Sequence, residues 1–211
     1  MPAQFINFEG IDGCGKGTQL ERLMSWAQKQ EHNTKLIKEP NSDNDMGRHI
    51  RAVLEGRAPN PGDFELQRRF VIDRYCDVIW KIGPFLKNES GFLFMDRYAH
   101  STIAYIPPPY KPLAILLLHW EIIGRDNMIW PDVTYFIDIT VEEALRRIKS
   151  GRKANELYEN LPRLEMARQN YHELAQRTDV GKMVVIDGMQ GEDKVFEQIK
   201  EDFQKRFLES T

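Results

Sequence analysis

FEGIDGCGKGTQ, residues 8–19, decides how this chain folds. It follows a short β-rich run (Phe5, Ile6, Phe8) and precedes Leu20, Leu23, Met24 and Ala27 at helical spacing, so it reads as strand, glycine-rich loop, helix. Gly10, Gly15 and Lys16 stand at the spacing GxxxxGK. Gly10, Gly13, Gly15 and Gly17 let successive amides turn inward, and the helix that follows points its positive end at the same spot. Such a loop cradles phosphate, and Lys16 adds a charge that can follow the negative charge as it shifts between β- and γ-phosphates. Cys14 reads as a small residue that fits the loop. One piece is displaced: Gly17 follows the lysine where a hydroxyl is usual, and Thr18 comes one place late.

The rest of the chain fits around that loop as an α/β domain. Runs at 34–37, 91–95, 133–139 and 182–187 read as four more strands, and helical patterns separate them at about 46–55, 63–88, 98–105, 112–126, 141–149, 161–177 and 191–208. Strands alternating with helices predict a five-stranded parallel sheet with helices on both faces, in one domain over residues 1–211. Phe196, Ile199, Phe203 and Phe207 form one apolar stripe that predicts packing of the last helix on the sheet. "IPPPYKP" (106–112) breaks helix, and the polar, basic "KSGRKANELYEN" (149–160) has the composition of a lid.

Composition narrows the function classes. A net charge of −3 over 211 residues gives no global attraction to nucleic acid or to an anionic membrane surface. The longest apolar stretch, Leu113 to Leu118, is far shorter than the roughly 20 residues a membrane-spanning helix needs, and the N-terminus lacks a basic flank with an apolar core. Two isolated cysteines, Cys14 and Cys76, fit a reducing compartment, so a cytoplasmic protein is expected. The five histidines show no metal-ligand spacing and no triad arrangement.

Chemistry gathers at the predicted carboxyl ends of the strands, where open α/β sheets bind ligands. "KEPN" (38–41) follows the second strand and "DRYAHS" (96–101) the third. Asp96 is placed to hold Mg²⁺ through water, and Arg97 to fork onto a second phosphate; a helix cap with a surface ion pair is the competing assignment. Phe70 and Arg74 in "RFVIDR" lie four apart and share a helix face that suits a nucleobase, although a Phe on a helix more often belongs to the core. Asp12, a carboxylate inside the phosphate loop, would repel a polyphosphate and therefore reads as facing a second substrate.

Six segments in this order resemble the thymidylate kinases among nucleoside monophosphate kinases: the loop, "KEP", "RFVIDR", "DRYAHSTIAY", "PDVTYFIDI" and "ALRRIKSGRKANELYEN". The resemblance implies the P-loop kinase fold, with ATP as donor, dTMP as acceptor, Mg²⁺ as cofactor and a homodimer as the assembly. Gly10, Gly13, Cys14, Gly15, Lys16, Gly17 and Thr18 would hold ATP, joined by Arg152 or Lys153 from the lid. Asp12, Glu39, Arg51, Phe70, Arg74, Arg97, Ser101, Thr102 and Tyr105 would hold dTMP. Within that set Phe70 would stack on thymine, Arg74 reach the base, Arg97 and Arg51 meet the acceptor phosphate, Asp12 approach the sugar, and Tyr105 crowd C2′. Asp96 would lie near the metal, and Lys16, Asp12, Arg97 and Arg152 would carry catalysis. Three departures stand out: Gly17, Asn41–Ser42 where a Gly-Gly-Thr stretch or an arginine often follows the proline, and Ile106 followed by three prolines.

Two other readings compete. A deoxynucleoside kinase would use Glu39 as base on a neutral hydroxyl, although the tryptophan those enzymes place after Glu-Pro is missing from "EPNSDNDMG". A non-catalytic nucleotide-binding relative would not need the complete set of Lys16, Asp96, Arg97 and a basic lid.

Overall fold

In the computed structural model, which describes residues 2–151 and 157–209, the five strands are β1 (Gln4–Glu9), β2 (Thr34–Lys38), β3 (Phe92–Asp96), β4 (Val133–Asp138) and β5 (Met183–Asp187). All pair in parallel, in the order β2-β3-β1-β4-β5. Each predicted strand is present within a residue or two. Both faces are covered, which is why β1, β3 and β4 read as continuous apolar runs rather than alternating ones; Phe5, Ile6, Phe8, Phe92–Met95 and Tyr135–Ile137 are all buried.

The helices are α1 (Lys16–Lys29), α2 (Asp45–Leu54), α3 (Asp63–Asp77), α4 (Gly83–Asn88), α5 (Ala99–Ala104), α6 (Pro112–His119), α7 (Val141–Gly151), α8 (Leu161–Ala175) and α9 (Glu192–Phe207). Two of the expected helices are not uniform. The span 63–88 passes through a π-helical turn at Val78–Ile82 before α4. Pro84 lacks the N–H that an α-helical bond at that point needs, and the wider turn absorbs the mismatch. The span 112–126 likewise loosens into a π turn at Trp120–Gly124, after which Gly124, at φ 91°, ends it. "IPPPY" is non-helical as its prolines dictate, and Pro112 serves as the first residue of α6.

α9 packs as its stripe predicts. Ile199 and Phe203 are fully buried, and the Phe203 ring lies 4.7 Å from that of Phe92 and 6.0 Å from that of Trp26. β1 runs between β3 and β4, so the loop after it and the turn after β3 leave the sheet side by side; Phe8 pairs in register with Asp96, and Asp96 with Lys38. That row of three strand ends is the floor of the site. The predicted lid falls partly on α7, which extends to Gly151; Arg152 and Lys153 lie outside the described residues.

Candidate active site

The phosphate loop has the geometry its glycines imply. Gly13 adopts φ 82°, and a Cβ there would stand 2.6 Å from the Ala144 carbonyl oxygen, so no other residue fits. α1 starts with Gly15 as its N-cap, no side chain bonds to its first-turn amides, and no acidic residue occupies that turn. The helix end is thus left to an anion. Lys16 reaches across the loop, its Nζ 3.9 Å from Asp12 Oδ1. Cys14 is buried, and burial raises its thiol pKa, which fits a packing residue rather than a nucleophile. At Gly17 a Cβ would meet nothing within 4 Å. Packing therefore does not exclude a hydroxyl there, and Thr18 beside it is exposed.

Asp12 turns away from the helix end toward β3. Arg97 Nη2 donates to its Oδ1 at 2.5 Å and the Tyr105 hydroxyl to its Oδ2 at 3.1 Å, while the Asp12 amide donates to that hydroxyl. Burial alone would raise this carboxyl, but the Arg97 and Lys16 charges outweigh it and bring the pKa down to about 2. Asp12 is therefore a carboxylate at any working pH. Arg97 holds φ 71°, rare for a residue with a side chain, with its amide on the Phe8 carbonyl and its guanidinium on the Gly10 carbonyl and the Ser101 hydroxyl.

A cleft opens from this point between β2, α2, α3 and α5. Asp12, Lys16, Glu39, Arg51, Phe70, Arg74, Asp96, Arg97, Ser101, Thr102 and Tyr105, the predicted acceptor residues together with the predicted metal carboxylate and the loop lysine, all line it. Phe70 is half-buried at its wall and free to offer a ring face. Arg74 is deeper than the sequence suggests: Nε and Nη2 take both oxygens of Glu39, Nη2 also donates to Thr102 Oγ1, and Nη1 donates to His119 Nε2 at 2.7 Å. His119 Nδ1 lies 2.7 Å from the Ile115 carbonyl, which assigns the proton to Nδ1 and the lone pair to Nε2. Burial and the neighbouring guanidinium hold its pKa well below 6.5. Four of the five Arg74 N–H groups are thereby engaged, and the side chain also lines the cleft.

Glu39, the base that the deoxynucleoside kinase reading requires, has both oxygens engaged by the Arg74 fork. Asn41, at one of the departures, is also occupied: its amide donates to Asp73 and its side chain to Asp77, pinning the loop after Pro40 onto α3. Ile106, at another, is buried in the core.

Asp96 ends β3 with Oδ1 buried and without a hydrogen-bond partner. A buried, unsatisfied carboxylate oxygen at the mouth of a phosphate site suits a hard cation or its water shell. No group of three or more His, Cys, Asp or Glu side chains among the described residues forms a metal cage. A metal here would thus be shared with substrate oxygens and water, which is how Mg²⁺ is ordinarily held.

Several lining residues had no role assigned from the sequence, although Lys38 belongs to KEPN and Tyr158 to the lid segment. Tyr158 and Gln67 close the far wall, the Gln67 amide donating to the Tyr158 hydroxyl at 3.0 Å. Lys38 stands at the rim. On the other side of the loop a second opening is lined by Cys14, Gly15, Thr18, Arg147, Gly188 and Glu192, with Arg147 donating to the Cys14 and Gly188 carbonyls. Two clefts thus meet at one phosphate loop, as a transfer between two nucleotides requires.

Comparison with known proteins agrees with this geometry. The family model described as thymidylate kinase matches residues 8–199. A thymidylate kinase of Thermosipho melanesiensis is 33% identical over 201 residues, covering 93% of this chain and 95% of that protein. A probable thymidylate kinase of Sulfurisphaera tokodaii is 32% identical over 191 residues, covering 90% of this chain and 89% of the relative. With a phosphate loop, a cleft lined by Phe70, Arg74 and Arg97, and a family match over residues 8–199, the chain belongs to the thymidylate kinase family.

Proposed function

We infer that the chain transfers the γ-phosphoryl group of ATP to dTMP, giving dTDP. The observation that carries this is that two clefts open on the one phosphate loop, the first at Asp12, Lys16 and Arg97 and the second at Cys14, Gly15 and Thr18. ATP would lie with its phosphates on the α1 amides and Lys16 and its nucleoside toward Arg147. dTMP would lie with its base against Phe70 and the remaining Arg74 proton, and its phosphate toward Arg97 and Arg51. The Tyr105 ring walls the sugar region, with its hydroxyl fixed by Asp12, and so leaves little room for a 2′-hydroxyl. The acceptor phosphate is already ionised near neutral pH, so transfer needs alignment and charge neutralisation rather than a base. Asp12, ionised and pinned, keeps Arg97 and Lys16 pointed at the space between the substrates. Asp96 with the substrate phosphates would hold Mg²⁺ mainly through water, Gly17 offering no hydroxyl; bound there, the metal would neutralise charge on the donor phosphates. Arg152 or Lys153 would complete the site from the lid.

A panel of dTMP, dUMP, UMP, CMP, AMP and GMP with ATP tests the assignment. The expected result is turnover with dTMP well above all others, and AMP or CMP as the preferred acceptor would overturn it.

The assembly we infer is a homodimer of single-domain chains in the cytoplasm. α6 divides its faces: Ile115, Leu116 and Leu118 are buried, while Leu113 and Leu117, one turn apart, are exposed, and Trp80 on the neighbouring π turn is 77% exposed. A second copy of the chain would cover them. Equilibrium sedimentation should give twice the 24.7 kDa chain mass, and Leu117→Glu should shift it toward that of the monomer; a monomeric parent protein would refute the assembly.

A further inference from the structure

Glu9, the last residue of β1, is fully buried directly beneath the phosphate loop. Its Oε1 accepts from the Tyr98 amide at 2.7 Å, the Ser101 amide at 3.3 Å and the Asn7 side-chain amide at 3.3 Å. Its Oε2 accepts from the Ser101 hydroxyl at 2.6 Å and the Tyr171 hydroxyl at 2.8 Å. All five donors are neutral, and no cationic side chain bonds directly to this buried carboxyl group. Capping the first turn of α5 explains the amides but not the hydroxyl. The Ser101 proton goes to Glu9, which leaves the oxygen's lone pair facing Arg97 Nη1, 2.9 Å away. That bond, with those from Arg97 to Gly10 and Asp12, fixes the plane of the guanidinium.

We propose that Glu9 is a positioning residue for phosphoryl transfer: through the Ser101 hydroxyl it holds the Arg97 guanidinium in the orientation that meets the acceptor phosphate. The polarity of the relay matters more than its bulk. In Glu9→Gln, the amide oxygen must stay on the fixed N–H donors of Tyr98, Ser101 and Asn7, which places the NH₂ group where Oε2 now sits. The Ser101 oxygen then accepts from Gln, and because the Tyr171 hydroxyl lies 2.8 Å from it and has lost its carboxylate acceptor too, the cluster holds more donors than lone pairs and Arg97 must compete for the Ser101 oxygen. Arg97 would lose its lateral support and swing within the cleft, and small misalignments at a transfer site are costly in rate.

This proposal rests on the assignment of Arg97 to the acceptor phosphate, and a double-mutant cycle separates the two. Glu9→Gln should lower kcat for dTMP phosphorylation by about tenfold or more, as expected for loss of a charge-assisted link, with KM for ATP unchanged. In an Arg97→Ala background the same substitution should change kcat by less than about twofold, because there is nothing left to orient. A merely structural Glu9 would give equal losses in both backgrounds, and that result overturns the proposal while leaving the Arg97 assignment standing. Full turnover in Arg97→Ala alone overturns both. If Glu9→Gln does not fold, Ser101→Ala removes the same link from the Arg97 side and enters the same cycle with the same expected non-additivity.

Discussion

Lys16→Met is expected to reduce kcat by about 10² to 10³, the loss seen when one preorganised charge-stabilising donor is taken from a closed site. The side chain starts α1 with its Nζ 3.9 Å from Asp12 Oδ1, the atom that also accepts from Arg97, so it stands between the amides proposed to hold the donor phosphates and the arginine proposed to meet the acceptor. Its contribution should therefore be larger in the transition state, where charge spreads over the oxygens between the two substrates, than in either bound ground state. KM for ATP should rise much less than kcat falls, because the loop amides and the helix end remain. The fold should persist. Methionine keeps the length of the stem, and Asp12, though it loses one of the two cations that depress its pKa to about 2, retains Arg97 and stays ionised near neutral pH. A coupled assay for ADP release, with circular dichroism on the same sample, checks both halves; turnover within twofold of the parent protein would refute the role.

The elements of the fold were readable because parallel strands covered on both faces leave unbroken apolar runs, and β3 and β4 are such runs bounded by glycine, proline or charge. The two π turns were not readable. Periodicity reports which residues face inward, and one extra residue per turn over five residues scarcely alters that pattern. Pro84 marks the first of them, but a proline inside a helical pattern predicts a break or a kink without saying which.

The site divides on the same principle of locality. The phosphate loop is a contiguous stretch whose residue types are forced by backbone geometry, Gly13 most plainly, so a reader of the sequence meets the whole device at once. The groups that aim it are scattered. Glu9 and Tyr171 share a hydrogen bond across 162 positions, and Arg74 and His119 share one across 45. A glutamate closing a strand and a histidine in the apolar run of α6 carry no pattern that distinguishes a buried polar network from surface polarity or core filling. The depth of Arg74 was not readable in the sequence either. Its four-residue spacing from Phe70 places both on one helical face, but only the packing of α5 and α6 against α3 shows that Arg74 lies beneath that face and Phe70 beside it.

That depth should make Arg74 a stability determinant beyond its proposed contact with the base. Arg74→Met should lower the free energy of unfolding by about 3 to 5 kcal/mol, the range for stripping one partner from a buried ion pair. Both members of the pair are nearly inaccessible, at 1% and 2% side-chain exposure, so solvent cannot take over either charge. Burial pushes the Glu39 carboxyl above its usual range, aided by the nearby Asp73 and Asp77 carboxylates, with the Arg74 fork as the opposing influence. Without that fork the folded protein must keep Glu39 protonated. A group whose pKa is higher folded than unfolded supports the fold while both states are protonated and loses that support as pH rises past the unfolded value near 4.5. The cost of Arg74→Met should accordingly stay level up to about pH 8 and grow above it, where Glu39 can ionise beside Arg74 in the parent protein and cannot in the variant, a slope urea titrations at several pH values would read directly. Adding Glu39→Gln to Arg74→Met should recover a large part of the loss and flatten the slope, since an uncharged amide needs no counter-ion. dTMP phosphorylation should not recover with it, because the guanidinium proposed to reach the base is absent from both variants. A pH-independent loss, or a double variant no more stable than Arg74→Met, would show that packing rather than the buried charge sets the cost.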